Sequence, residues 1–267
     1  MLKIGLLGVG AIGRTIATAL DRREIDASLV AVTDQDCARA EALSRELSSH
    51  PPVVSLDEML DRADLAVEAA GQAALADFVP KALARGRDIL VMSVGGLLGR
   101  DEWFRQADQK GCHIYVPSGA IAGLDGIKSA SIGKIESAML TSRKPVAALR
   151  GSQYVLDRGI QLDQLKEETV IFEGLAEEAA RVFPATSNVA ASLRLAVDPS
   201  APVQVRVVAV PGGNENIHEI RVQGEFGKLT VKVENVPSKS NPKTSQLAAF
   251  SAIATLKNLT RSLRVGT

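Results

Sequence analysis

The opening segment of the chain constrains its fold more strongly than any other. An apolar run, Lys3–Leu7, leads directly into a Gly-x-Gly-x-x-Gly triplet, and a helical pattern follows over Ile12–Leu20. This order is typical of a dinucleotide-binding turn, because the glycines allow a tight turn, close approach of a pyrophosphate and close packing of helix on strand. The free N–H groups and positive dipole of the helix start would face the phosphates. The residues predicted to form this site are Gly8, Gly10, Ala11, Ile12 and Gly13.

An acidic residue completes the pattern. Asp34 lies at the end of the second apolar run, Leu29–Thr33, about twenty residues after the last glycine, where an acid accepts hydrogen bonds from an adenosine ribose. Asp34 would repel a 2′-phosphate, and the next residues, Gln35 and Asp36, supply no cation. We therefore expect NAD as the cofactor, with NADP accepted less well. The alternative is a tight βα turn in a sheet that binds no nucleotide.

Composition excludes several other classes of protein. Lys+Arg and Asp+Glu both number 31, and this balance, without a basic tract, argues against a nucleic-acid partner. No apolar run approaches the roughly 18 residues of a membrane span, and the chain start lacks the features of a secretory signal. We expect a cytoplasmic protein with no membrane partner. The cysteines, Cys37 and Cys112, are expected to be buried free thiols, and no metal site is predicted.

Strands and helices alternate over residues 1–118, which indicates an α/β domain with a doubly wound parallel sheet of the Rossmann type. The predicted strands are Lys3–Leu7, Leu29–Thr33, Leu65–Ala69, Asp88–Met92 and His113–Val116, and the predicted helices are Ile12–Leu20, Cys37–Leu47, Leu56–Leu60, Ala73–Arg85 and Arg100–Gln109. Residues 119–244 predict a second, α+β domain that contains an antiparallel sheet. The C-terminal helix, within 245–267, is expected to rejoin the first domain.

The second domain mixes helices with strands of period two. Its predicted helices are Gly123–Ser131, Leu175–Phe183 and Asn188–Ala196, its predicted strands are Ile135–Thr141, Thr169–Phe172, Val203–Val210, Asn216–Gln223 and Lys228–Glu234, and the C-terminal helix is Ser245–Leu263. The sequence Pro211-Gly-Gly-Asn214 has strong turn chemistry. It predicts a hairpin between Val203–Val210 and Asn216–Gln223.

The candidate for proton transfer is His218, one of three histidines. In the strand Asn216–Gln223 it alternates in phase with Ile220, so its side chain faces the apolar side. An inward histidine is either a satisfied core residue or a catalytic acid and base, since imidazole titrates near neutrality. His50 is expected in a solvated loop, and His113 in a structural position at a strand edge.

Three further segments are polar where packing does not require it. The stretch Val116–Gly123 contains Ser118 and opens a helix, whose N-terminus could hold the nicotinamide ribose or a substrate carboxylate. Asn188 begins another helix, where N-capping is the simpler interpretation. The loop before the last helix contains Lys243 and Thr244, and it either caps that helix or clamps a carboxylate.

Together these segments resemble the L-aspartate dehydrogenase family over nearly the whole chain. The motifs that carry the resemblance are Val91-Met-Ser-Val-Gly-Gly96, Val116-Pro-Ser-Gly-Ala-Ile-Ala-Gly-Leu-Asp125, Phe172-Glu-Gly-Leu-Ala-Glu-Glu-Ala-Ala-Arg181, Phe183-Pro-Ala-Thr-Ser-Asn-Val-Ala-Ala191, Asn216-Ile-His-Glu-Ile220 and Asn241-Pro-Lys-Thr-Ser245. The resemblance implies that His218 is the catalytic residue. It also implies NAD contacts by Ala122, with Ala120 in the same stretch, and by Asn188. Thr186-Ser187 departs from the family pattern and puts one peripheral contact in doubt.

The resemblance implies oxidative deamination of L-aspartate to oxaloacetate and ammonia through iminoaspartate, with NAD(P), and the reverse reductive amination. His218 would remove a proton from the attacking water or from the carbinolamine. Lys243, Thr244 and Ser118 are the candidate partners of the substrate carboxylates. Family members often supply iminoaspartate for pyridine nucleotide biosynthesis. The edges and apolar faces of the second sheet favour a homodimer.

Two alternatives stay open on the sequence, the first another enzyme and the second a protein of a different class. One is a different two-domain oxidoreductase, of the homoserine dehydrogenase or dihydrodipicolinate reductase type, against which the Asn216–Ile220 and Asn241–Ser245 motifs argue. The other is a non-catalytic NAD-sensing module, which would need no inward-facing histidine. Oxidation of aspartate by the purified protein would separate these alternatives from the aspartate dehydrogenase hypothesis.

Overall fold

The computed structural model describes residues 1–184, 187–236 and 245–266. The chain forms two compact units, of which the first is Met1–Pro117 together with Ala249–Arg264 and the second is mainly Ser118–Ala248. Each unit contains a five-stranded sheet. Within the described ranges, none of the helices has the length and apolar character needed to cross a lipid bilayer.

The first unit alternates strands with helices, as the sequence predicts. Its elements are β1 (Leu2–Leu7), α1 (Ala11–Asp21), β2 (Ala27–Thr33), α2 (Cys37–Glu46), α3 (Leu56–Arg62), β3 (Leu65–Glu68), α4 (Leu75–Ala84), β4 (Asp88–Val91), α5 (Asp101–Lys110) and β5 (Ile114–Tyr115). All neighbouring strands are parallel, in the order β2-β1-β3-β4-β5. The predicted doubly wound sheet is confirmed. Strand order reverses between β1 and β3, and open α/β sheets bind ligands at the carboxyl ends of such strands.

Local sequence explains where the helices of this unit begin and end. The side chain of Asp36 accepts a hydrogen bond from the Arg39 backbone N–H at the start of α2, and Ser55 caps α3 in the same way. Gly111 ends α5 in the left-handed conformation, with φ of 66°. The strand β3 is buried along its whole length, as expected for a central strand covered on both faces.

The second unit is an α+β structure. Its elements, followed by the C-terminal helix, are α6 (Leu124–Ala130), β6 (Ile135–Pro145), α7 (Val146–Leu149), α8 (Gln153–Asp157), β7 (Thr169–Leu175), α9 (Ala176–Val182), α10 (Asn188–Ala196), β8 (Val203–Val210), β9 (Asn216–Gly224), β10 (Gly227–Asn235) and α11 (Gln246–Thr260). The strand order is β10-β9-β6-β8-β7, and every pairing is antiparallel except β6 with β8. Apolar side chains of the inner face pack with those of α6, α9 and α10 in one core.

The predicted hairpin between β8 and β9 is wrong. The strand β6 lies between them, pairing through Ala138 with Val203 of β8 and through Ser142 with His218 of β9. The turn sequence reverses the chain, but turn chemistry is local and does not report a strand that enters from far earlier in the sequence. The true hairpin joins β9 to β10, where Gly224 pairs with Gly227.

Three smaller expectations also need correction. The strand β6 runs on to Pro145 instead of ending at Thr141, and the short helices α7 and α8 follow it. The helix α11 ends at Thr260, so Leu263 lies beyond it and is exposed. Both cysteines are free thiols, but Cys37 is exposed at the start of α2 and only Cys112 is buried.

Candidate active site

Gly8 and Gly13 fit the glycine loop because no larger residue has room there. Gly8 has φ of 92°, and a Cβ atom on it would lie 2.6 Å from the backbone of Ala69, at the end of β3. A Cβ atom on Gly13 would lie 2.0 Å from the carbonyl oxygen of Gly8, so α1 packs directly on the loop. These are the tight turn and the close helix packing that the triplet predicts.

Gly10 differs from its two partners, because no atom of the described residues other than its chain neighbours lies within 4 Å of the Cβ position it lacks. It is the N-cap of α1, which has no side-chain cap and no acidic residue in its first turn. Ala11 and Ile12 form that first turn, so their backbone N–H groups are at the start of the helix dipole. The open space and the uncapped helix start fit the pyrophosphate of a dinucleotide.

Asp34 follows β2 and is bound into the glycine loop. Its carboxylate accepts hydrogen bonds from the backbone N–H of Val9 at 2.8 Å and of Asp36 at 2.9 Å. Arg39 Nη2 lies 2.7 and 2.9 Å from its two oxygens. Burial raises the pKa of Asp34, but the hydrogen bonds from Val9, Asp36 and Arg39 outweigh it and hold the pKa below its usual value.

Arg39 changes the electrostatics expected at this position. The predicted preference for NAD rested on the absence of a cation at Gln35 and Asp36. In the structure, Arg39 in the first turn of α2 forms an ion pair with Asp34. The Asp34 side chain is 3% exposed, whereas that of Arg39 is 45% exposed. A ligand approaching from solvent therefore meets the cation together with the acid.

Glu68 is a further polar residue of this edge of the sheet, and the sequence pattern does not identify it because it ends an apolar strand. Its buried carboxylate accepts hydrogen bonds from the backbone N–H groups of Ala70, Gly71 and Ser93 and from the Ser93 hydroxyl, at 2.7–3.0 Å. Burial raises the pKa of Glu68 above its ordinary value, against the effect of these donors. Glu68 thus ties together the loops that follow β3 and β4.

In the second unit, His218 lies on the inner face of the sheet, as its alternation predicts. It is 4% exposed, and its Nδ1 lies 2.9 Å from the hydroxyl oxygen of Ser142 on β6. Burial, and then the charge of Lys144, lower the pKa of His218 to about 3. The imidazole is therefore neutral near pH 7, with Nδ1 engaged by Ser142.

Lys144 is a buried cation that the sequence pattern misses. The predicted strand ends at Thr141, but Ser142 and Lys144 continue the inward alternation of Ala138 and Leu140. Lys144 is 6% exposed, and burial lowers its pKa to about 8. A lysine in phase with buried apolar residues is the signal that could have identified it.

The stretch that holds Ser118, Ala120 and Ala122 is linked to the same sheet. The side chain of Asn235, on β10, donates a hydrogen bond to the carbonyl oxygen of Ala120 at 2.9 Å, and Asn235 pairs with Asn216 of β9. Ser118 is half-buried and Ala122 is exposed. The loop backbone is therefore held next to the strand that carries the histidine.

The remaining predicted residues fall into two groups. Asn188 is the first residue of α10, and Ser187 before it is its N-cap but makes no side-chain capping bond. Lys243 and Thr244 lie outside the described residues. In the part of the chain that the structure describes, Ser187 Oγ and Asn216 Oδ1 are buried without a hydrogen-bond partner.

Comparison with known proteins identifies the family of the chain. The family described as "Aspartate dehydrogenase, C-terminal" matches residues 125–259, and the family "Homoserine dehydrogenase, NAD binding domain" matches residues 8–117. The L-aspartate dehydrogenase of Methanosarcina mazei is 46% identical over 100% of both chains, and that of Methanocella arvoryzae is 47% identical with the same coverage. The chain belongs to the L-aspartate dehydrogenase family. It is an NAD(P)-dependent amino-acid dehydrogenase.

Solved structures show how this member of the L-aspartate dehydrogenase family compares in fold. The aspartate dehydrogenase of Thermotoga maritima superposes with a TM-score of 0.74, at 24% identity and 100% coverage of both chains. A homoserine dehydrogenase of Thiobacillus denitrificans superposes with a TM-score of 0.61 at 16% identity, covering 97% of this chain and 73% of that one. The architecture is therefore shared with dehydrogenases of other substrates, so fold alone does not select the substrate.

Proposed function

We propose that this chain is an L-aspartate dehydrogenase that oxidises L-aspartate to iminoaspartate, which is hydrolysed to oxaloacetate and ammonia, and that it also catalyses the reverse reductive amination. The observation that carries the proposal is a buried, neutral His218 bonded to Ser142 inside the region that matches the aspartate dehydrogenase family. A histidine placed in this way on a rigid strand suits proton transfer.

The residues of the first unit fit a nicotinamide dinucleotide. Gly8, Gly10, Ala11, Ile12 and Gly13 would hold its pyrophosphate through the open space at Gly10 and the uncapped start of α1. When bound, a nicotinamide would supply the hydride acceptor for the hydrogen of the substrate Cα. Asp34 would meet the adenosine ribose, and Ala120, Ala122 and Asn188 are also proposed as cofactor contacts.

NAD is proposed as the preferred cofactor, and NADP as accepted. Asp34 supports the preference because a carboxylate repels a 2′-phosphate. Arg39 weakens that repulsion because its guanidinium pairs with Asp34 and is the more exposed of the two. The balance of the two side chains sets the ratio of the affinities.

His218 is proposed to manage the proton of the hydrolytic water. For Nε2 to act as a base, Nδ1 must carry the ring proton and donate to Ser142 Oγ, so that the lone pair of Nε2 faces the reactants. Water adds to the imine carbon as His218 takes its proton, and the same nitrogen returns a proton in the reverse direction.

The substrate carboxylates need cationic or N–H partners once they leave water. Ser118, Lys243 and Thr244 are proposed for this role. Ser118 is half-buried at the start of the 118–123 stretch, which is a suitable place for a hydroxyl donor. If Lys243 binds a substrate carboxylate, Lys243→Ala should raise KM for aspartate and oxaloacetate and leave NAD affinity unchanged.

A homodimer is also proposed. The strands β7 and β10 are the two edges of the second sheet, and edge strands are commonly covered by a second copy. Light scattering on the purified protein measures the molar mass in solution, for which a value twice that of the 28.2 kDa chain is expected.

The test of the proposed function follows the absorbance of the reduced cofactor. We expect production of NADH with L-aspartate and its consumption with oxaloacetate plus ammonium, and no comparable turnover with homoserine. His218→Ala should lower kcat by about 10²–10⁴-fold while NADH still binds. The control is His50→Asn, at an exposed loop residue with φ of 42° that asparagine tolerates. Absence of turnover with intact NADH binding would favour a sensing module instead.

A further inference from the structure

A small cavity lies beside Ser142 and Lys144 on the inner face of the second sheet. Its volume is about 10 Å³, and its polar lining consists of Ser142, Lys144 and Ser187. The rest of the lining is apolar side chains from β6, β8 and α10 and from the end of α9. A volume of this size holds a single molecule or group as large as water or ammonia.

One polar group of the cavity has no partner of its own in the described part of the chain. Ser187 Oγ is buried and has no hydrogen-bond partner among the described residues, and such a group costs folding free energy unless a ligand satisfies it. Ser142 lines the cavity and also contacts His218 Nδ1, so a single hydroxyl group links the cavity to the imidazole.

The charges that face Lys144 are few. The cavity residues of β8, α9 and α10 are Val205, Val207, Ala179, Ser187, Val189 and Ala190, and Phe183 follows α9. None of these side chains is ionisable, and the neighbouring titratable group is His218 on β9. Arg143 pairs with Glu168 and Glu219, and its side chain alternates away from Lys144. The ammonium of Lys144 therefore lies in a setting that favours its neutral form.

The chemistry of amine oxidation needs a group of this kind. The substrate α-ammonium has no lone pair, so a base must remove a proton before the Cα–H bond breaks and the C=N bond forms. Lys144 is the stronger base of the two for this step, because the pKa of His218 is lowered to about 3. Lys144, whose pKa burial lowers to about 8, is partly neutral under mildly alkaline conditions.

We propose that this cavity receives the reacting nitrogen and that Lys144 Nζ is the base that deprotonates it, an inference that rests on the proposed function. In the oxidative direction the α-ammonium gives one proton to the neutral Lys144, which becomes an ammonium. The nitrogen lone pair then forms the C=N bond as the Cα hydrogen leaves with its electron pair to the oxidised nicotinamide. In the reverse direction Lys144 returns the proton to the new amine.

The test compares Lys144→Met and Lys144→Arg with the control Arg143→Met, the adjacent cation on the opposite face of β6. In the unmodified protein, kcat/KM for aspartate should rise with pH through a limb near pH 8. Both Lys144 variants should lose about 10²–10⁴-fold in kcat/KM and should lack this limb. Methionine has no group that titrates, and arginine keeps its proton over this pH range. Arg143→Met should keep both the rate and the limb.

A second measurement separates this role from carboxylate binding. Succinate is a dicarboxylate without an amine, and its inhibition constant should change little in Lys144→Met. A large rise in that constant, together with retained activity in Lys144→Arg, would show that Lys144 binds a carboxylate and would overturn the proposal. An active protein whose Lys144→Met variant keeps the rate and the pH limb would also overturn it, and the cavity would then hold a buried water only. If the unmodified protein does not oxidise aspartate, the proposed function itself fails.

Discussion

At the scale of the residue, we expect the contact of Arg39 with Asp34 to set the relative affinity of the protein for NAD and NADP. Arg39→Ala removes the exposed cation and leaves the carboxylate held by the backbone N–H groups of Val9 and Asp36. We expect NADP affinity to fall by about tenfold, since a phosphate contact with arginine is a charge-assisted hydrogen bond. NAD affinity should change less. Titration of intrinsic or cofactor fluorescence measures both dissociation constants without relying on turnover.

Arg45→Ala is the control for this comparison, because Arg45 is an exposed arginine of the same helix that pairs with Glu41. An Arg39→Ala variant that loses the two cofactors equally would contradict a role in selecting between them. It would indicate that Arg39 only holds Asp34 in place.

The residues of the site differ in how readily sequence predicts them. His218 is predictable because its alternation with Ile220 is complete within one strand. Lys144 is not predicted, because a charged pair, Arg143-Lys144, before Pro145 resembles a strand end. Arg39 is hidden as well, since it belongs to α2 and reaches Asp34 only through the fold. A contact such as Arg39 with Asp34 forms only when the fold brings side chains from different elements together.

At the scale of the element, Glu68 joins the carboxyl ends of β3 and β4. Glu68→Gln keeps the size of the side chain but points an N–H group at donors of Ala70, Gly71 or Ser93. We expect a loss of about 1–3 kcal/mol in the free energy of unfolding. Because the loop after β3 also contacts Gly8, cofactor binding should weaken too. Urea denaturation measures the free energy of unfolding, and NADH titration measures the affinity for the cofactor.

The exposed Glu41→Gln variant is the matched control, and neither quantity should change in it. A Glu68→Gln variant with unaltered stability would mean that the four hydrogen bonds contribute little to holding the two loops. The candidate cofactor site would then not depend on Glu68.

The elements themselves follow from sequence more completely than their pairing does. The bounds of α10 and β8 are as predicted, because an apolar period and flanking turn residues define them locally. The position of β6 between β8 and β9 is not local information. It depends on pairing between strands that are far apart in the sequence. The Pro211–Asn214 turn carries no information about that pairing.

At the scale of the whole molecule, the buried ionisable residues of the second unit link its stability to pH. The pKa of His218 is lowered from 6.5 to about 3. Between these values the unfolded chain binds a proton that the folded chain does not, so stability falls as pH falls through this range. For Lys144, lowered from 10.5 to about 8, the same reasoning makes stability rise with pH from about 8 to 10.5.

Removal of the buried amine should therefore stabilise the protein while it lowers activity. Lys144→Met is expected to raise the free energy of unfolding at pH 7 by about 3 kcal/mol, and the gain should shrink by pH 10. In His218→Asn, the free energy of unfolding should fall less between pH 6.5 and pH 3 than it does in the unmodified protein. Denaturant unfolding across pH measures both. If Lys144→Met is less stable than the unmodified protein at pH 7, the Lys144 ammonium has a charged or hydrogen-bonding partner that stabilises it in the folded state.

The central claim is that this chain forms iminoaspartate and hydrolyses it with His218 as the proton-transfer group. It is tested most directly by following the nitrogen atom. The protein is incubated with oxaloacetate, reduced cofactor and ammonium labelled with heavy nitrogen, and the amino acids formed are analysed by mass spectrometry. We predict L-aspartate carrying the label in its α-amino group, formed at a rate about 10²–10⁴-fold lower in His218→Ala. Malate in place of labelled aspartate, or labelled aspartate formed equally fast without His218, would contradict the claim.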